Sequence, residues 1–108
     1  MSSAVELAKQ AVELAPEDGL CWNTFGVAHY RAGQWRDALT ALERSTELRK
    51  GGDSLDWYFL AMTHQKLGHI DTASDWYDKA VAWMEKNQPS NEELGRFRKE
   101  ATMLLKIK

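Results

Sequence analysis

The sequence predicts an all-α chain of about six helices, built from repeated antiparallel helix pairs. Three observations predict it. The stretch WNTFGVAHYRAGQW, residues 22–35, returns 35 positions later as WYFLAMTHQKLGHI, residues 57–70, with tryptophan, a bulky apolar residue, a small residue, histidine and glycine in the same register. Within each copy the apolar residues follow the i, i+3, i+4, i+7 spacing of one helix face. Each helical pattern is then punctuated by glycine, at Gly33, Gly51-Gly52 and Gly68.

The register extends beyond the opening stretch. Shifted by 35, Trp22 meets Trp57, Phe25 meets Leu60, Gly26 meets Ala61 and His29 meets His64, and Ala38, Leu42 and Ser45 meet Ala73, Tyr77 and Ala80. Stepping back by 34 from Ala38, Leu42, Ser45 and Leu48 reaches Ala4, Ala8, Ala11 and Leu14. Half a unit therefore precedes two full ones, giving 4–17 as the second half of a repeat, 18–52 and 53–88 as full repeats, and 90–107 as a closing helix in a single repeat domain spanning 1–108.

The elements follow in order. Residues 4–14 carry an apolar stripe from Ala4 to Leu14 and stop before Pro16. Trp22, Phe25, Gly26 and His29 form the stripe of the next helix, which Gly33 ends because only glycine takes the left-handed position without a steric penalty. Trp35, Ala38, Leu39, Leu42, Ser45 and Leu48 stripe a third helix, closed by Lys50-Gly51-Gly52. Asp53 or Ser54 suits the cap of a fourth, whose face is Trp57, Leu60, Ala61 and His64. The run LDWYFLAM, residues 55–62, has the aromatic content of a buried strand, but its register with 20–27 argues for helix. Ile70 to Trp83 repeats the third helix, and Ser90 with Glu93 reads as a capping box before Leu94, Phe97, Ala101, Leu104 and Leu105.

This pattern resembles the tetratricopeptide repeat, whose signature is Trp-x-x-Leu-Gly-x-x-Tyr followed by small, bulky and Ala positions and a proline. The matching residues are Trp22, Phe25, Gly26, His29, Ala38, Leu42 and Ser45 in one unit, and Trp57, Leu60, Ala61, His64, Ala73, Tyr77 and Ala80 in the next. The departures are His in place of Tyr at both His29 and His64, Lys50 and Glu85 where proline is usual, and one extra residue at Gly51-Gly52. The resemblance implies a right-handed superhelical array of helix pairs, an α-solenoid that acts as a non-catalytic protein-interaction module. The wording is also similar to the repeat tails of large bacterial serine/threonine kinase and propeller proteins, which implies a piece of a longer multidomain chain.

Composition and motifs narrow the chemistry. Apolar residues make up 44% and charged residues 28%, and 14 Lys plus Arg against 16 Asp plus Glu give a net charge of -2. Arg96, Arg98, Lys99, Lys106 and Lys108 are the nearest thing to a basic patch, yet Glu92 and Glu93 open the same segment, an order that complements a helix dipole, so no nucleic-acid partner is expected. No apolar run approaches the roughly 20 residues of a spanning helix. With no secretory h-region after Met1 and with Cys21 the one cysteine, a cytoplasmic setting without disulfides, and no membrane partner, is expected. His29 and His64 occupy equivalent repeat positions and read as packing residues, with His69 exposed beyond a helix-ending glycine. No catalytic, metal-binding or phosphate-cradling motif occurs, so neither an enzyme nor a cofactor is expected. Four of the five tryptophans fall at or beside core positions, Trp83 is placed under the last helix, and Trp76, opposite Ala41 in register, is partly exposed or covered by that helix.

The resemblance implies that first helices of successive units line a concave face. There Asn23, Val27, Tyr30 and Arg31 of one unit and Tyr58, Met62, Gln65 and Lys66 of the next are the predicted contacts for a protein or peptide ligand. Chaperone-binding members grip a peptide carboxylate with Lys, Asn and Arg. Here Thr24, Val27, Leu55 and Phe59 stand at corresponding positions, so a clamp of that kind is not expected. The alternative is a scaffold role: the half repeat leaves Val5, Ala8 and Val12, with Leu7 and Leu14, as an open face on which a second copy stacks into a homo-oligomer.

Overall fold

The computed structural model describes residues 3–107; Met1, Ser2 and Lys108, the last of them part of the basic group considered above, lie outside the described residues. Six helices and no strand occur among the described residues: α1 Ala4–Leu14, α2 Gly19–Arg31, α3 Trp35–Leu48, α4 Ser54–Lys66, α5 Ile70–Asn87 and α6 Glu92–Leu105. The segment 55–62 is helical, as its register with 20–27 requires. The packing divides into two compact units, the first ending at Gly52 and the second beginning at Asp53.

In the first unit, α1 starts where the Ser3 hydroxyl accepts a hydrogen bond from the Glu6 amide. Asp18 caps α2 in the same manner, its carboxylate accepting from the Leu20 amide at 2.9 Å. The Trp22 indole N–H donates to the Pro16 carbonyl at 2.9 Å and so ties α2 to the loop that follows α1. α1 packs on α2, and α2 on α3. The α2/α3 crossing is close because Gly26 lacks a side chain: a Cβ there would stand 2.7 Å from Leu42 Cγ and 3.3 Å from the Ala38 carbonyl oxygen. Ala38, Ala41, Leu42 and Ser45 are all buried on the α3 side.

The turn after α2 needs glycine, since Gly33 has φ +77°, and the matching Gly68 after α4 has φ +85°. A Cβ at either site would meet nothing within 4 Å, so the requirement is backbone conformation and not space.

In the second unit α4 is wrapped on nearly every side, with Trp57 through Thr63 all buried, and it packs against both α5 and α6. Asp53, not Ser54, is its cap: the Asp53 carboxylate accepts from the Leu55 amide at 2.9 Å, while the buried Ser54 hydroxyl donates to the Ala80 carbonyl of α5. α6 lies mainly along α4, with the Phe59 and Phe97 rings edge-on at 4.8 Å. The Tyr77 hydroxyl meets Thr102 Oγ1 at 2.7 Å, which fastens α5 to α6. The Tyr58 hydroxyl donates to Met84 Sδ at 3.3 Å, and burial pushes its pKa up to about 12.

One expectation is corrected, and one that stood between two alternatives is resolved. The cap of α6 is Asn91 and not Ser90: Asn91 Oδ1 accepts from the Leu94 amide at 2.9 Å, while its Nδ2 donates to Gln88 Oε1, so the helix starts one residue later than a Ser90–Glu93 box requires. Trp76 is half-buried beside Trp57 at 6.5 Å between ring centroids, with the Lys79 ammonium 5.2 Å from the Trp76 ring and 4.4 Å from that of Trp57.

Candidate interaction surfaces and the two histidine turns

α2 presents Asn23, Val27, Tyr30 and Arg31 at i, i+4, i+7 and i+8, but they do not share one exposure. Asn23 and Tyr30 are buried in the first unit, Val27 is half-buried, and Arg31 is exposed with its guanidinium 5.7 Å from the Tyr30 ring centroid. Leu20, 53% exposed, and Thr24 extend the accessible stripe along the same helix.

The matching residues of α4 are different again. Tyr58 and Met62 are 0% exposed and belong to the core of the second unit; only Gln65, half-buried, and Lys66, exposed, remain accessible. The physical reason is the pair of helices packed on α4: α6 covers Phe59, whose ring meets Phe97, and α5 covers Tyr58, whose hydroxyl meets Met84. The sequence carried a signal of this: six consecutive apolar residues, WYFLAM, cannot all lie on one helix face, and a helix that is apolar all round is a buried one. The equivalent stretch of α2, WNTFGV, is broken by Asn23 and Thr24.

On α1, Ala8 and Val12 are buried where the helix packs on α2, and Val5 is half-buried. The apolar side chains that α1 leaves open are Leu7, 57% exposed, and Leu14, 88% exposed.

A pocket of about 200 Å³ opens where the second unit brings the starts of α4 and α6 near the end of α5, with Asp53, Trp83, Gln88, Asn91 and Glu93 in its lining. Its Asp53 and Asn91 oxygens already cap helices and Gln88 is held by Asn91, so these three polar side chains serve the fold. Among the described residues no cluster of three or more His, Cys, Asp or Glu side chains could hold a metal ion, and no helix is long and apolar enough to cross a membrane.

The histidines lie in equivalent turns with different partners. In the first unit the buried His29 donates from Nδ1 to Gln34 Oε1 at 2.7 Å, and its ring sits 4.4 Å from that of Phe25. In the second, His64 Nδ1 and His69 Nδ1 are 3.0 Å apart, one donating and the other accepting. His64 is half-buried, and burial, followed by the charge of His69, holds its pKa below the ordinary 6.5. His69 is exposed yet engaged with His64, a pairing that helical periodicity could not signal because it spans five residues across a turn.

Residues 57–87, from Trp57 of α4 to the last residue of α5, match the family model for the tetratricopeptide repeat. That stretch is a tetratricopeptide repeat, and the six-helix, strandless architecture accords with an array of such units. No curated protein matches the chain.

Proposed function

We propose that the chain is a non-catalytic protein-interaction module that receives a peptide or helical segment of a partner protein on the accessible stripe of α2, through Val27 and Arg31 with Leu20 beside them. The observation that carries this reading is internal to the second unit. There α4 receives an amphipathic helix, α6, at Phe59, which corresponds to Thr24 of that stripe. A stripe that accepts a helix in one repeat has the curvature and spacing to accept one in the other. The side chains set the chemistry of the guest: an apolar residue against Leu20 and Val27, and a carboxylate within reach of Arg31. In the second unit Gln65 and Lys66 are what remains of the predicted surface, and Tyr58 and Met62 contribute only through the fold.

The test is a peptide selection against the intact protein, followed by titration of the selected peptides into Arg31→Glu and Val27→Asp variants. The expected outcome is apolar peptides bearing Asp or Glu whose affinity falls about tenfold or more in Arg31→Glu, a side chain exposed enough to change without unfolding the helix. Unchanged affinity in Arg31→Glu, or a Val27→Asp variant that melts early while binding normally, overturns the assignment of this stripe.

A second reading, self-assembly through α1, is favoured by the exposure of Leu7 and Leu14, seven residues apart and so on one side of the helix. Because Ala8 and Val12 are packed on α2, the discriminating substitution is Leu14→Glu. Light scattering should then show a concentration-dependent dimer in the wild type and a monomer in the variant; a wild type monomeric at every concentration sinks this reading.

A further inference from the structure

We infer that His64 and His69 form a bidentate site for a divalent first-row transition metal ion that favours tetragonal geometry, Ni²⁺ or Cu²⁺. The two Nδ1 atoms stand 3.0 Å apart. With metal–imidazole bonds of about 2.0–2.1 Å, that separation subtends an angle of about 90° at a shared ion. Right angles are the cis positions of a square-planar or octahedral ion, whereas a tetrahedral ion such as Zn²⁺ asks for nitrogens about 3.3 Å apart. Imidazole is also a donor that suits nickel and copper.

The turn holds the pair in place without a metal. His64 lies in the last turn of α4 and His69 is the residue before α5, and the His69 amide donates to the His64 carbonyl at 2.8 Å while the Gly68 amide donates to that of Gln65 at 3.1 Å. Gly68, in the left-handed region at φ +85°, allows so short a return of the chain. Both backbone anchors are therefore fixed, and metal binding requires each ring to turn its Nδ1 lone pair from its neighbour toward a common point. The proton on the donating Nδ1 moves through solvent to Nε2 of the same ring, so two neutral imidazoles bind the ion and no net proton is released. The described residues supply no third ligand, which leaves the other coordination positions to water or to a donor on a bound partner.

The first unit is the built-in control. At the position equivalent to His69 it carries Gln34, whose oxygen bonds His29 at 2.7 Å. His69→Gln therefore installs an arrangement that this chain already uses elsewhere. The test is calorimetric titration of Ni²⁺ into the full chain in a non-coordinating buffer near neutral pH, with circular dichroism to confirm helicity. One Ni²⁺ per wild-type chain, weakened at least about tenfold in His69→Gln by loss of the chelating partner and unchanged in a His29→Gln control, is the expected result. The exposed position also tolerates His69→Ala, which should behave as His69→Gln does. Equal Ni²⁺ affinity in the wild type and both His69 variants, or a loss of binding in His29→Gln while His69→Gln retains it, overturns the proposal.

Discussion

At four matched positions the first unit carries Asn23, Thr24, Val27 and Leu42 where the second carries Tyr58, Phe59, Met62 and Tyr77. The backbone pattern beneath them is the same helix, glycine turn and helix. What differs is the neighbour. Tyr58, Phe59, Met62 and Tyr77 lie in a unit with a third helix, α6, which Phe59 and Tyr77 touch; the first unit's third helix is α1, which packs on α2. The lesson is that repeat signature residues set the pair and its crossing, while the residues between them are chosen by whatever covers the pair.

The sharpest way to break that comparison is to truncate the same position in both units. Phe59→Ala removes a fully buried ring packed edge-on against Phe97, and should cost about 3–5 kcal/mol in chemical denaturation. Thr24→Ala, on the exposed stripe of α2, should stay within about 0.5 kcal/mol. Comparable losses from the two would mean that the two faces are covered alike.

Next in size is the crossing itself. Gly26→Leu forces a side chain into Leu42 and should destabilise by about 1–3 kcal/mol, read as a lower denaturation midpoint. The matched residue Ala61 is fully buried, and Ala61→Gly should cost about 1–2 kcal/mol through helix propensity and the lost methyl. A tolerated Gly26→Leu would show that α2 and α3 can separate without penalty.

The smallest effect concerns Thr63, matched by Ala28. Thr63 is fully buried and its hydroxyl has no hydrogen-bond partner, so Thr63→Val, which keeps the shape and deletes the orphaned group, should stabilise by about 1 kcal/mol. Thermal unfolding checks it, and a lower melting temperature in Thr63→Val would mean that the hydroxyl has a solvent partner.

Much of the fold was legible because it is local and periodic. The stops at Gly33 and Gly68, a cap at Asp53 or Ser54 and the close crossing at Gly26 follow from rules that act within a turn or between adjacent helices. The surface was less legible because exposure depends on tertiary choice. The apolar stripe of α6, from Leu94 to Leu105, fits any open face of the preceding pair, and sequence spacing does not say that it lies along α4 over Phe59. The same limit applied at α1, where Ala8 and Val12 lay on a stripe that could be read as open. The His64–His69 pair was hidden for a third reason: its geometry belongs to a turn, and neither the helical nor the strand period describes it.

The indoles of the second unit offer an optical handle on these questions. Trp57 has both Trp76 and Trp83 beside it, each with ring centroids 6.5 Å away, and the Trp83 ring is turned 86° from its own. Transition dipoles that near and that skewed couple as excitons, so the cluster should contribute a signed pair of bands to far-ultraviolet dichroism that no lone indole produces. The ring beside Trp22 is a phenylalanine, Phe25, at 5.9 Å, which gives no such indole pair. Loss of the couplet on heating would report the α4/α5 pair coming apart, separately from the helical signal shared by all six helices.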